Sequence, residues 1–168
     1  MTRRLFLMTG LSILLWSSLL SAAEDTRTYV NARFGTCAEI PASFEQVSSS
    51  ANGDGATFEQ SGLAGEIRIY GSFDAMADGL TGYRDFLADM YAQEGTGMTY
   101  APQGDDWFVL SGTTKAGDIV YLRVQAEPDW GPEFFHHIWF EYPAASKTRW
   151  DAIVSRSAKS LNGTCREP

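Results

Sequence analysis

The chain has 168 residues, a formal net charge of −8, 44% hydrophobic and 20% charged residues, 16 Gly and two Cys. These are the proportions of one globular domain, and they exclude a collagen-like, disordered or densely cross-linked chain. The acidic balance also argues against nucleic acid as a partner, because binding a phosphate backbone relies on Lys and Arg displacing its counterions.

Residues 1–23 read as a signal peptide. Arg3 and Arg4 supply a positive start, Leu5 to Leu20 is apolar, and Ser21-Ala22-Ala23 offers small residues for cleavage. Thr2 to Met8 resembles the twin-arginine export motif, with Met8 where that pattern usually has Lys. A general secretory leader has the same charge pattern, and either route leads out of the cytoplasm, to the periplasm or the exterior. Ser17 and Ser18 interrupt a stretch already short of the roughly 20 apolar residues of a spanning helix, so no transmembrane anchor is expected after cleavage. Residues 24–168 then form a single domain of 145 residues with 11 basic and 21 acidic side chains, a net charge of −10.

Strand signals follow in quick succession: Tyr29 to Phe34, Cys37 to Ile40, Thr57 to Gln60, Glu66 to Tyr70, Trp107 to Ser111, Ile119 to Glu127 and Phe134 to Tyr142. Asn52-Gly53-Asp54-Gly55, Gly104-Asp105 and Gly117-Asp118 mark turns between them. Two segments have helical spacing instead. In the first, Met76, Leu80, Tyr83, Leu87, Met90 and Tyr91 share a stripe and Gly95 is placed to stop the helix. In the second, Ser146 offers an N-cap, Trp150, Ile153, Val154 and Leu161 form the stripe, and Gly163 is read as the stop. The expected fold is α+β: a mainly antiparallel sheet of about six or seven strands with two main helices against its faces.

The pieces "YVNARFGTCAEIPASF", "ANGDGATF", "EIRIYGS", "GDDWFVLSGT" and "IWFEYPAASKTRWDAIVSRSAKSL" resemble a family of small exported proteins of Gram-negative bacteria. The layout resembles the PsbP-like fold, which takes its name from an extrinsic photosystem subunit and includes bacterial DcrB-like proteins. The resemblance runs from about Tyr29 to Leu161 and is clearest at Phe34-Gly35, Ile40-Pro41-Ala42-Ser43-Phe44 and Tyr142-Pro143. It implies a PsbP-like sandwich and an accessory or binding protein, and it names no partner.

Few residues offer chemistry. Cys37 and Cys165 stand near the two ends of an exported domain and are expected to form one structural disulfide. No Cys-x-x-Cys or haem-attachment spacing supports a redox or metal role for them. The two histidines, His136 and His137, are neighbours in a strand, so their side chains point to opposite faces. His136 shares the expected core face with Ile138, Phe140 and Tyr142 and is expected to be hydrogen-bonded there; His137, with Phe135, Trp139 and Glu141, is expected to be solvated. They are poorly placed to share one ion, and neither a metal nor another cofactor is expected. A periplasmic hydrolase or metal-dependent enzyme using His136 or His137, for instance with Ser111, is the alternative function, although no Gly-x-Ser-x-Gly elbow is present. Asn52-Gly53-Asp54-Gly55 offers oxygens to calcium but lacks an EF-hand's alternating acids and distal Glu, and is read as a turn.

Trp130 and Trp107 are the candidate contacts with a partner. Trp130 lies in the stiff loop Pro128-Asp129-Trp130-Gly131-Pro132, where an indole either stacks on a sugar or anchors a protein, or folds back over the sheet. The expected function is an exported, non-catalytic binding or accessory protein of the bacterial cell envelope, with an envelope protein or a glycan component as its partner.

Overall fold

A computed structural model describes residues 25–75, 79–127 and 134–165, which form nine strands and two helices. The expected leader, Met76 and Trp130 lie outside the described residues. In chain order the elements are β1 (Thr26–Val30), β2 (Cys37–Pro41), β3 (Glu45–Ser49), β4 (Gly55–Gln60), β5 (Leu63–Phe73), α1 (Gly79–Glu94), β6 (Gly97–Tyr100), β7 (Trp107–Thr113), β8 (Asp118–Ala126), β9 (Phe134–Pro143) and α2 (Lys147–Ser160), with a 3-10 turn at Ala144–Ser146. β1 and β2 form a two-stranded sheet, and the other seven pair antiparallel in the order β3-β4-β5-β9-β8-β7-β6. The fold is α+β, as expected. Two short edge strands, β3 and β6, complete the seven.

Side-chain alternation divides the sheet into two apolar faces, and each is covered on one half only. On the first face, Phe58, Ile67, Ile69, Ile138 and Phe140 meet Ile40 and Phe44 from the β1–β2 side and Trp150 and Ile153 from α2. On the second, Phe108, Leu110, Leu122, Val124 and Phe135 meet Leu87 and Tyr91 of α1. The covers are diagonal: α1 lies over the β6–β7 end of its face, while β2 and α2 lie toward the β4–β9 side of the other. What stays open is the β6–β8 end of the first face and the β3–β5 end of the second.

The second cover corrects one expectation. His137 is fully buried, not solvated, because the face it shares with Phe135 and Trp139 is a core as well. A second correction concerns Gly163. α2 ends at Ser160, followed by an extended Leu161 (φ −59, ψ 126), so Gly163 does not stop the helix. Gly95 does end α1, with the positive φ of 82 that favours glycine just past a helix. Ser146 precedes α2, but its hydroxyl makes no capping bond. Cys37 and Cys165 are joined, S–S 2.02 Å, across 128 residues of chain.

Candidate functional site

Both histidines have structural work. His136 Nδ1 lies 2.7 Å from the Thr36 hydroxyl, with both residues fully buried. Gly163 lies against its ring: a Cβ there would come within 2.0 Å of Nε2. Burial lowers the His136 pKa to about 4. His137 stacks on Tyr70, centroids 4.3 Å apart and planes at 5°. Its Nδ1 is 3.3 Å from the Tyr70 carbonyl oxygen and its Nε2 3.0 Å from the Tyr83 hydroxyl. A carbonyl only accepts, so Nδ1 carries the proton and Tyr83 donates to Nε2. Burial lowers the His137 pKa to about 3, against the opposing effect of the Tyr70 carbonyl bond.

Ser111 donates to the Val120 carbonyl at 2.9 Å and meets neither histidine. The Asn52–Gly55 stretch is a turn, as expected: Gly53 has φ 77, and Arg33 pairs with Asp54 at 2.6 Å and donates to the Asn52 carbonyl. Among the described residues no three His, Cys, Asp or Glu side chains come together as a metal site.

The open end of the first face is different. There a groove of about 440 Å³ runs between β6–β8 and α2, with Tyr100, Trp107, Tyr121 and Arg123 on the sheet side and Lys147 and Lys159 on the helix side. Alternation explains the placement: Val109 opposite Arg123 and Trp107 opposite Gln125 put all four on one face. The Arg123 guanidinium carbon stands 4.7 Å from the centre of the Trp107 ring, a cation–π distance. Its Nη2 donates to Gln125 at 3.0 Å, and Gln125 in turn donates to Asp106 at 2.8 Å. Gly104 backs the indole so closely that a Cβ would lie 2.4 Å from Trp107 Nε1. The guanidinium is therefore held in one orientation. Its Nε is buried with no hydrogen-bond partner, and among the described residues no carboxylate pairs with it. Burial lowers the Arg123 pKa, while Tyr121 and Asp106 raise it. Lys147 is paired with Asp151 at 2.7 Å.

The open end of the second face carries the opposite balance. Three concavities of about 410, 410 and 360 Å³ meet at Arg68, but this arginine is satisfied. It pairs with Glu66 and lies 4.3 Å from the centre of the Trp139 ring. Glu59, Glu66, Asp118 and Glu141 gather beside it. Burial, with Asp118 and Glu66, raises the Glu141 pKa.

Of the sequence-derived candidates, Trp107 lines this groove, half-buried as the platform for Arg123. Trp130 lies outside the described residues, and Cys37 and Cys165 form the staple. Arg123, Tyr100, Lys147 and Lys159 were not singled out from the sequence. The signal was available for Arg123, since a strand over Ile119 to Glu127 puts it on the same face as Tyr121 and Gln125.

No family model and no curated protein matches the sequence. Solved structures do match in fold. The chain is similar to cyanobacterial PsbP (CyanoP) from Synechocystis sp. PCC 6803, with a TM-score of 0.61 at 12% identity, covering 89% of this chain and 98% of that one. It is also similar to the Saccharomyces cerevisiae Ran-binding protein Mog1p, with a TM-score of 0.59 at 10% identity, covering 84% and 97%. At such identities the likeness establishes the PsbP-like fold.

Proposed function

We propose that this chain is an exported, non-catalytic binding or accessory protein of the bacterial cell envelope, resident in the periplasm or secreted. The observation that carries the reading is the open β6–β8 end of the sheet, where the ring of Trp107 and an oriented Arg123, bonded to Gln125 but to no carboxylate among the described residues, line a groove. Surface arginine and tryptophan of this kind are the residue types that dominate binding contacts. The leader-like residues 1–23 and the Cys37–Cys165 disulfide support export. Among the described residues no helix is long and apolar enough to cross a membrane. One structural neighbour is named for binding Ran, so a fold of this kind serves protein binding elsewhere. A hydrolase or metal enzyme built on His136 or His137 draws no support from rings closed inside two cores.

The test is expression with the native leader in a Gram-negative host, with a photo-crosslinking residue at Tyr100 or, for comparison, at Glu59 on the other open face. Mature protein starting at Glu24 in the envelope fraction, with adducts formed from Tyr100, is the expected result. Intact Met1 in the cytosol, or no adduct from either position, rejects the proposal.

A further inference from the structure

Resting on that binding reading, we propose that the β6–β8/α2 groove receives an extended acidic peptide segment of a partner protein, with Arg123 as the receptor for one of its carboxylates. Charge is the first argument. Residues 24–168 carry a net charge of −10, yet this groove gathers Arg123, Lys147 and Lys159 against the single carboxylate of Asp151. A positively charged groove on an acidic molecule selects an anionic partner and repels further copies of its own chain.

Pre-organisation is the second. Trp107 and Gln125 fix the Arg123 guanidinium from two sides, and Gly104 fixes Trp107. Such a planar fork matches a carboxylate in bidentate fashion, and little side-chain freedom is lost on binding.

Length decides between an extended segment and a compact anion. The helix side of the groove spans Lys147 to Lys159, about 18 Å at the rise of an α-helix. That is the reach of about five residues of extended chain. Lys147 follows the end of β9, beside Ile119, the partner of Tyr142. At the other end, Gly163 touches His136, whose strand partner is Gln125, so Lys159 stands toward the Arg123 end. Between the cations Tyr100, Tyr121 and Val154 alternate with the polar Ser111, Asp151 and Ser155. The occupant thus combines acidic residues with apolar ones along its length. The groove also borders β6, an edge strand of the sheet, which offers backbone groups to a chain lying alongside.

Purified residues 24–168, disulfide intact, would be titrated against a fluorescein-labelled hexapeptide of alternating acidic residues and leucine, with fluorescence anisotropy as the readout. Saturable binding is expected that weakens with added salt and is absent for the same peptide with lysines in place of its acids. Arg123→Gln should weaken it at least about tenfold, whereas Glu59→Gln on the opposite open face should leave it unchanged. Lys159→Glu, at an exposed helix position, reads the same field without disturbing the Trp107 platform and should weaken binding several-fold. No binding by about 1 mM peptide, equal binding by Arg123→Gln and Lys159→Glu variants, or binding of an oligogalacturonate in place of the peptide would overturn the proposal. If the peptide fails while Tyr100 still crosslinks an envelope component, this inference alone falls. Absence of every adduct removes the binding reading with it.

Discussion

His136 and His137 are neutral inside the folded chain and become ordinary histidines when it unfolds, which ties stability to pH. Their folded pKa values, about 4 and about 3, lie below the ordinary histidine value of 6.5, so at mildly acid pH the unfolded chain holds more protons than the folded one. Stability therefore rises with pH through this window. The contribution is complete above about pH 6.5 and drains as the pH falls toward the folded values. Glu141, whose pKa is raised, works in the other direction: it favours the fold at low pH and does not account for an acid loss. Urea midpoints measured between pH 7 and pH 4 should fall steadily in the parent. A His136→Gln/His137→Gln double variant, less stable at neutral pH, should show a flatter acid limb; parallel slopes in parent and variant would count against this account. His136 was legible as a core residue because Ile138, Phe140 and Tyr142 share its face. His137 was not, because alternation in one strand says nothing of what docks on its other side, and it is Tyr83 on α1, together with Tyr70 of β5, that encloses the ring.

At the scale of elements, α2 is held by one side chain above all. Trp150 is fully buried, stacks on Tyr142 at 4.9 Å and 6°, meets the Phe44 ring at 5.6 Å and donates Nε1–H to the Ala64 carbonyl at 3.2 Å. Trp150→Ala should cost about 3 to 5 kcal/mol, a fall in melting temperature of roughly 10 °C for a domain of this size. A loss below about 1 kcal/mol would mean that α2 is anchored elsewhere. The stripe that seats this helix was readable at the spacing of Trp150, Ile153 and Val154. β3 and β6 were not readable. Every residue of β3 is exposed and its register slips between Gln46 and Ser48, so it has no apolar alternation to detect. β6 is four residues long, and its approach to β7 depends on Gly112, where a Cβ would lie 2.3 Å from the Gly97 carbonyl oxygen. Edge strands are specified by the turn and partner that present them as much as by their own composition. The groove is not legible in the sequence for a related reason: Arg123 and Tyr100 come from separate strands, and Lys159 from a helix, so the assembled sheet order brings them together.

Across the whole molecule, the diagonal placement of the covers leaves the second strand and the last helix packed on each other, and the chain closes on itself there. β2 and α2 are in contact, the Cys37 backbone exchanges hydrogen bonds with Asn162, and Ser160 Oγ accepts from the Glu39 amide at 2.7 Å. The Cys37–Cys165 disulfide adds a covalent link at the same junction, across 128 residues. A loop of that length restricts the unfolded chain by about 5 kcal/mol in the entropic model, an upper figure given how often measured gains fall short. The surrounding hydrogen bonds do not need the sulfurs, so the reduced protein should keep its native far-ultraviolet and tryptophan spectra at room temperature. It should melt at a markedly lower temperature, by roughly 10 °C, and a Cys37→Ser/Cys165→Ser double variant should match it. Denatured, unreduced protein should meanwhile show no titratable thiol. Two free thiols, or a reduced form melting with the oxidised one, would show that the closure of this fold rests on β2 and α2 packing alone.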